Sequence, residues 1–289
     1  NLTPSSAVFL SRNSRMYIGS ITHFITSDHL KRGFDTATDA VRTGGTAVKG
    51  DGSVDPEAPM WVTFARSMAP MMFPPAEAMS AQIGGDPQRP LKVLDIAAGH
   101  GIFGVTIAKN FPNAEIHAVD WKNVLEVAKE NSVNFGVADR YHTIEGSAFE
   151  VDLGDGYDIV LLTNFLHHFD VETCKSMLKK LNAAMKDDGK LFTLEFVPND
   201  DRVSPPNEAM FSFVMLVGTP AGDAYTYAEL KSMCENSGFT RNEHIPLPPT
   251  PQHLIVSQQT TRAYKYLTVF SNFLRSLLRH AEKTSWVLP

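Results

Sequence analysis

The chain has 289 residues, of which 43% are hydrophobic, and its 26 basic and 32 acidic residues give a formal net charge of −6. This length allows one large domain, or one domain with a smaller attachment, around a sizeable core. A mildly acidic chain has no general attraction to nucleic acid or to acidic membrane surfaces, so neither partner is predicted. The chain begins at Asn1 rather than at a methionine, which indicates processing or a fragment of a longer protein.

Cysteine usage and hydropathy indicate a reducing compartment. The two cysteines, Cys174 and Cys234, are too few for a disulfide framework and too far apart for a metal pair, so we expect buried thiols. The apolar stretch at 210–217 is far too short to span a bilayer, and no signal segment opens the chain. We therefore predict a cytoplasmic protein.

Three regions follow one another along the chain. Residues 1–88 show no alternation of strand and helix, and contain a loop at 49–59 and a Met-rich helical stretch at 61–83, which its prolines are expected to break. Residues 89–258 alternate short apolar runs with helix-length segments. Residues 259–289 have apolar side chains at helical spacing, which predicts a C-terminal helix packed on this protein or on a second subunit. A membrane-surface helix is the less favoured alternative, because the segment is only moderately basic.

The middle region has the pattern of an α/β sheet. Strands are predicted at 91–96, 115–119, 141–144, 157–162, 190–196 and 253–256. Amphipathic surface helices are predicted at 102–111, 122–135, 171–185 and 226–237. Such alternation implies a mainly parallel sheet that is covered by helices on both faces.

The clearest functional signal is a glycine-rich turn after the first predicted strand. Gly99, Gly101 and Gly104 have the GxGxxG spacing of a dinucleotide site. Asp95, inside the strand end, argues against NAD, because a pyrophosphate gains nothing from an anion there, whereas a sulfonium with an α-amino group favours a carboxylate. Asp120 closes the next strand, where it would be able to accept hydrogen bonds from both ribose hydroxyls of either cofactor.

This turn and several later segments resemble the class I S-adenosylmethionine (SAM)-dependent methyltransferases, and more narrowly the O-methyltransferase family of the plant caffeate and animal acetylserotonin enzymes. The resembling segments are 91–104, 115–121, 146–149, 166–181, 189–198 and 222–239. The resemblance implies a Rossmann-like seven-stranded sheet in the order 3-2-1-4-5-7-6 and a homodimer. Residues 1–88 would then be a helical remnant of the family's winged-helix dimerisation domain, most of which is absent from this chain.

The same resemblance implies a set of cofactor contacts. The residues that would hold SAM, and S-adenosylhomocysteine as product, are Asp95, Ala97, Gly99, Gly101, Asp120, Trp121, Ser147, Ala148, Phe149 and Thr163. Within this set Asp120 binds the ribose and Trp121 packs on the adenine, while Ala97 and Gly99 line the methionine part. The family has an aspartate where this chain has Ser147, and plant members often have a lysine at Thr163, so these two contacts depart from the family pattern.

A Leu-His-His-Phe-Asp segment begins at 166, after a predicted strand, where open α/β sheets hold their ligands. By the resemblance, His167 is the general base that takes the proton of an acceptor hydroxyl, a task that suits an imidazole with a pKa near about 6.5. Glu195 matches its first acidic partner. The second partner's position is Ala224, and the neighbouring Asp223 would point elsewhere. No metal site is predicted, because adjacent histidines seldom bind one ion and no third ligand is evident.

Met- and Phe-rich segments, which the resemblance places over the site, predict an apolar acceptor pocket. Its candidate residues are Phe64, Met68, Met72, Met210, Phe213 and Met215, with Asn164 as a polar contact. Such a lining suits a flat, aromatic acceptor. The sequence therefore predicts a SAM-dependent O-methyltransferase that acts on a hydroxyl of a small, aromatic molecule. The alternatives are an N- or C-methyltransferase, which the Ala224 departure leaves open, and a dimeric SAM-binding protein without turnover.

Overall fold

The computed structural model describes residues 2–14, 17–49 and 58–259. In these ranges a layer of helices precedes a single sheet that has helices on both faces. The described residues include only residue 259 of the predicted C-terminal helix. Most of the predicted loop at 49–59 also lies outside them. The N-terminal helices are α1 (Pro4–Phe9), α2 (Thr22–Ile25), α3 (Asp28–Asp35), α4 (Ala37–Thr43) and α5 (Pro59–Ala81).

Helix α5 is continuous through its prolines, so the predicted break at Pro70 and Pro74–Pro75 is wrong. Each proline removes one backbone hydrogen bond from the helix. The helix compensates through tertiary packing, because Met72, Ala76 and Met79 are buried in the same core as the first strands of the sheet. Burial of this face stabilises the helix more than backbone propensity does, as is usual for helices in proteins.

The sheet has seven strands in the order β3-β2-β1-β4-β5-β7-β6, which confirms the expected topology. The strands are β1 (Leu91–Ile96), β2 (Ala114–Asp120), β3 (Tyr141–Glu145), β4 (Tyr157–Thr163), β5 (Met185–Phe196), β6 (Phe239–Pro246) and β7 (Gln252–Gln259). The pairs from β3 to β5 are parallel, and β7 is antiparallel to both of its neighbours. Strand β6 was not predicted, because it is an edge strand whose mostly polar side chains are exposed or half-buried, apart from Phe239.

Helices connect the strands and divide the core between the two faces of the sheet. They are α6 (Ile102–Asn110), α7 (Lys122–Asn134), α8 (Val171–Ala184), α9 (Pro206–Gly218) and α10 (Tyr227–Glu235). Alternate residues of β1 belong to different clusters: Val93 packs with α5 and α6, and Leu94 packs with α8 and α10. The carboxyl ends of β1, β2, β4 and β5 lie at one edge of the sheet, so the segments that follow them are neighbours.

The cysteines and the surface show further features of the described residues. Cys174 and Cys234 are buried and free, as predicted. No described helix has both the length and the apolar character that crossing a membrane requires. Large apolar side chains are exposed on the N-terminal helices at Val8, Phe9 and Phe34. The homodimer and the three-domain division stay predictions.

Candidate active site

The turn between β1 and α6 has a backbone that few residues adopt. Ala97, Gly99 and Gly101 have φ angles of 51°, 58° and 72°, in the left-handed region. A Cβ atom at Gly101 would lie 2.6 Å from the Tyr141 hydroxyl and 2.9 Å from the Cβ of Ala128, so no larger residue fits there. A Cβ atom at Gly99 would meet only one backbone oxygen, at 3.7 Å. The turn is therefore closed against the core on one side and open to a ligand at Gly99.

Asp120 connects the end of β2 to this turn. Its Oδ2 accepts a hydrogen bond of 2.7 Å from the backbone N–H of Gly99, and its Oδ1 accepts one of 2.7 Å from the N–H of Trp121. Burial raises the pKa of Asp120 to about 6, although both hydrogen bonds favour the ionised form. Each carboxylate oxygen keeps a further lone pair, so the group can still accept hydrogen bonds from a neighbouring diol.

The side chain of Asp95 is more completely buried than its position at the end of a strand suggested. The residue is 0% exposed, its Oδ2 accepts a hydrogen bond of 3.2 Å from the N–H of Gly104 in α6, and its Oδ1 has no partner among the described residues. Burial raises the pKa of Asp95 to about 7, and the charge of Asp120 adds to the shift. The recorded contact of this carboxylate is with the start of α6, and its predicted cofactor contact stays a prediction.

The buried Asp95 gives a pH-dependent prediction. A carboxyl whose folded-state pKa is about 7 favours folding while it is protonated, and that contribution is lost as the pH rises from about 4 through 7. Asp95→Asn keeps the shape without the charge, so we expect the variant to be more stable than wild type at pH 8, by up to about 4 kcal/mol. At pH 5 the difference should shrink. Chemical denaturation of both proteins at the two pH values measures it, and a pH-independent difference would contradict the assignment.

The segment after β3 lies beside Asp120. The N–H of Gly146 donates to the carbonyl of Asp120 at 2.9 Å, and the hydroxyl of Ser147 accepts a bond of 3.3 Å from the N–H of Phe149. The Lys180 amine on α8 donates to three carbonyls of this segment, those of Ala148, Phe149 and Val151, at 2.7–2.9 Å. Sequence reasoning missed Lys180, because no local pattern relates a helix lysine to a distant loop.

Two further predicted cofactor residues sit on the neighbouring elements. Trp121, directly before α7, is partly buried and packs against the cluster of Ala65 on α5 with Val124 and Val127 on α7. Thr163, the last residue of β4, is buried. Both therefore lie at the strand ends that also hold Asp120 and the glycine turn, and their cofactor contacts stay predictions.

His167 and Glu195 form a buried pair between the ends of β4 and β5. The His167 Nδ1 lies 2.5 Å from the Oε2 of Glu195, and the two side chains are 6% and 3% exposed. The Oε1 of Glu195 accepts hydrogen bonds from the N–H groups of Phe165 and Leu166, at 3.0 and 2.8 Å. Glu195 thus has three polar contacts in a buried position, and its contact with Nδ1 orients the His167 ring so that Nε2 is left for another partner. The structure thus brings together the two residues that the sequence singled out.

No second carboxylate approaches His167 from the position that the family uses. Ala224 is 0% exposed and has no side-chain polar group. Asp223 forms an ion pair of 2.8 Å with Arg202, which also binds Glu229 at 2.6 Å. Asp223 therefore points away from the histidine, as expected, and holds the loop before α10.

Gly222 is a positioning residue that sequence reasoning missed. A Cβ atom there would overlap the carbonyl oxygen of His167 and lie 2.9 Å from the carbonyl carbon of His168. The loop before α10 therefore rests directly on the backbone of the histidine segment, and only glycine permits this approach. No sequence signal pointed to Gly222, because the contact joins segments more than 50 residues apart.

Aromatic rings surround His167. The ring of Phe211 in α9 lies edge-on at 4.8 Å from the His167 ring and stacks on Phe196 at 4.0 Å. The His168 ring is 4.4 Å from His167, and Trp61 of α5 meets His168 at 5.4 Å. These rings form an apolar, flat-walled surrounding for the imidazole.

Two of the predicted acceptor residues on α9 lie away from the His167 ring. Met210 is 61% exposed, and the Phe213 ring lies 5.9 Å from Phe34 of α3, so neither faces His167. Phe211 takes that position, because each residue turns a helix by about 100° and side chains two apart point in nearly opposite directions. The composition of the segment indicated an aromatic wall, but not which ring forms it.

The predicted acceptor residues on and near α5 lie in two groups. Phe64 contacts Trp61 and Phe24 at ring distances of 5.6 and 4.9 Å. Met68 packs against the core of the sheet. Asn164 is 3.9 Å from the Met72 sulfur and accepts a hydrogen bond of 3.1 Å from Gln252. Asn164 and Met72 therefore meet near the end of β4, and their role in an acceptor pocket stays a prediction.

The residues present suit SAM. The glycine turn provides open space at Gly99, and Asp120 provides carboxylate oxygens for a ribose diol. Among the described residues, no group of three or more His, Cys, Asp or Glu side chains has an arrangement that could hold a metal ion. The seven-stranded sheet with this order and a ligand turn after β1 defines the class I methyltransferase fold.

The family model of the O-methyltransferase domain matches residues 87–240, more than half of the chain, and the chain belongs to this family. A crystal structure from Nostoc punctiforme, whose protein has a provisional O-methyltransferase assignment, is 52% identical with a TM-score of 0.84, and the match covers 89% of this chain and 77% of that chain. Human N-acetylserotonin methyltransferase, solved with SAM, is 19% identical with a TM-score of 0.76, over 90% of this chain and 75% of that chain, which shows a common fold.

Among curated relatives, the 3-hydroxy-5-methyl-1-naphthoate 3-O-methyltransferase of Streptomyces sahachiroi is 29% identical over 51% of this chain and 42% of its own length. The phenazine O-methyltransferase of Lysobacter antibioticus is 30% identical over 53% of this chain and 44% of its own length. The chain thus spans less than half of the length of these curated relatives.

Proposed function

We propose that this protein is a SAM-dependent O-methyltransferase that methylates a hydroxyl of a small, aromatic molecule, with His167 as the general base. The observation that carries the proposal is the buried His167–Glu195 pair, 2.5 Å apart, at the strand ends beside the glycine turn. Relatives named for naphthoate and phenazine acceptors support an aromatic substrate. The rings of Phe211 and Phe196 at the histidine suit such a substrate.

SAM supplies an electrophilic methyl group when it is bound. Asp120 accepts hydrogen bonds from the ribose, Gly99 allows the backbone to approach the methionine part, and Trp121 packs on the adenine. Ser147 accepts a hydrogen bond where the family has a carboxylate, so it contributes less binding energy there. Asp95 acts indirectly, because its carboxylate accepts a hydrogen bond from the first turn of α6 and so holds the helix that follows the glycine turn.

His167 removes the proton from the acceptor hydroxyl. Because Nδ1–H donates to Glu195, Nε2 is the nitrogen that is free of hydrogen and takes the proton. Glu195 then stabilises the imidazolium, and its two backbone hydrogen bonds hold it in place for that task. The apolar rings exclude water and orient the acceptor, and positioning of this kind supplies much of the rate of a displacement.

Calorimetry with SAM, S-adenosylhomocysteine and NAD tests the cofactor, and transfer of labelled methyl from SAM to a panel of phenols tests the reaction. We expect micromolar binding of the first two ligands, no binding of NAD, and methyl ethers as products. Products methylated at nitrogen or carbon would favour the alternative methyltransferase classes. Binding of SAM without transfer to any acceptor would instead identify a SAM-binding protein without turnover.

A further inference from the structure

Glu208 is a largely buried residue whose carboxylate has no recorded hydrogen bond or ion pair with the described residues. It lies in the first turn of α9 and is 6% exposed. Among the residues that the structure describes, no group donates a hydrogen bond to Glu208 and no cation forms an ion pair with it. Its oxygens are not among the fully buried polar atoms that lack a partner, so water reaches them, and a ligand that displaces this water can donate a hydrogen bond to the carboxylate.

The helix directs Glu208 toward the histidine. Glu208, Phe211 and Met215 are spaced three and four residues apart, so they share the inward face of α9. Phe211, one turn after Glu208, contacts the ring of His167 at 4.8 Å. The carboxylate therefore belongs to the same wall of the site as the ring that meets the base.

The sheet places a second polar group beside Glu208 but no cation. The charge of Glu208 acts on His253, the residue of β7 that lies opposite Glu195 of β5. Burial nevertheless lowers the pKa of His253, and its Nδ1 is engaged with the Nε2 of His244 at 2.7 Å. His253 is therefore neutral near pH 7 and does not neutralise the carboxylate.

We infer that Glu208 determines acceptor specificity, because its carboxylate accepts a hydrogen bond from a second donor group on the molecule that presents its reacting hydroxyl to His167. The acceptor class is then an aromatic molecule with two hydrogen-bond donors, the second one an amine or a hydroxyl. The inference rests on the proposed function, since it concerns the acceptor of that reaction. The carboxylate positions the acceptor and takes no part in the transfer.

The test compares acceptors in pairs on one phenol scaffold, in which a second amino or hydroxyl group is present or is replaced by methyl or methoxy. For wild type we expect a higher kcat/KM with the donor-bearing member of each pair. In Glu208→Leu that preference should fall by about ten- to a hundredfold, the range for a hydrogen bond to a charged group. Glu208→Gln, which keeps an acceptor oxygen without charge, should lose the preference for amines more than that for hydroxyls. Glu235→Gln, on the exposed end of α10, is the matched control and should leave the preference unchanged.

Thermal unfolding separates this role from a structural one. Removal of a charge that no described residue pairs should leave Tm unchanged or raise it in both Glu208 variants, whereas loss of a structural ion pair would lower it. Wild-type turnover with a preference that Glu208→Leu and Glu208→Gln leave within twofold would overturn this inference alone. Absence of turnover in wild type with every acceptor would overturn the proposed function and this inference with it.

Discussion

Replacement of His167 with alanine is expected to lower kcat by about 10²- to 10⁴-fold, the contribution typical of a general base. The hydroxyl would then have to lose its proton to water while it attacks, and Glu195 would have no imidazolium to stabilise. The dissociation constant for SAM should change little, because the glycine turn and Asp120 lie at the ends of β1 and β2 rather than in the histidine segment. Steady-state kinetics with saturating SAM, together with calorimetry, measures both quantities.

The surface offers a matched control for this variant. His142 and Glu115 form another histidine–glutamate pair, with 2.7 Å between Nε2 and Oε2, but both side chains are 49% exposed. His142→Ala removes an imidazole from a similar partner without touching the buried pair, so its kcat should equal that of wild type. If His167→Ala kept wild-type kcat while it bound SAM normally, another group would have to be the base.

Replacement of Asp120 with alanine is expected to weaken SAM binding by about 10²- to 10⁴-fold. Both oxygens of the carboxylate are oriented by the N–H groups of Gly99 and Trp121, which prepares them to accept hydrogen bonds from the ribose. Two hydrogen bonds to a charged group contribute about 3–6 kcal/mol together, which is the expected loss. Calorimetric titration with SAM measures the dissociation constant.

The control for Asp120 lies at the other end of the sheet. The carboxylate of Asp158 accepts a hydrogen bond of 2.8 Å from the N–H of Lys92 and pairs with Lys186 at 2.6 Å. Asp158→Ala therefore removes a comparable set of contacts away from the cofactor edge, and SAM affinity should not change. A dissociation constant of Asp120→Ala within threefold of wild type, at unchanged Tm, would remove Asp120 as a cofactor ligand.

The sequence was informative where local pattern and chemistry agree. Two short segments could be recognised from their residue types alone: the strand, turn and helix around Gly99, and the histidine that follows a strand end. The structure places both at the same edge of the sheet. The strand order came from the family resemblance, because no local pattern determines how strands are ordered. The polar edge strand β6 has too few buried residues to produce a recognisable alternation.

The contacts that sequence reasoning missed are long-range or depend on helix phase. Lys180 reaches a loop about 30 residues away, and Gly222 contacts the histidine segment more than 50 residues away, so no window of sequence contains both partners. Phe211, rather than Met210 or Phe213, faces His167 because of where α9 begins. A helix sequence rich in methionine and phenylalanine predicts an apolar surface. Which of these side chains face the site depends on the rotation of the helix about its axis, and that rotation is determined by packing on the sheet.

The packing of helix α5 determines where segments can be exchanged between related proteins. Its first turn brings Trp61 to His168, while its last two turns bury Ala76 and Met79 in the core that contains β1 and α6. A chimera joined at residue 88 would replace the helix that contacts His168 and, with it, one side of the core of the sheet. A junction before residue 59 would instead leave α5 with its own sheet and transfer only the helices that precede it. Recombination among such proteins is therefore expected to succeed at the start of α5 and to yield unfolded products at its end.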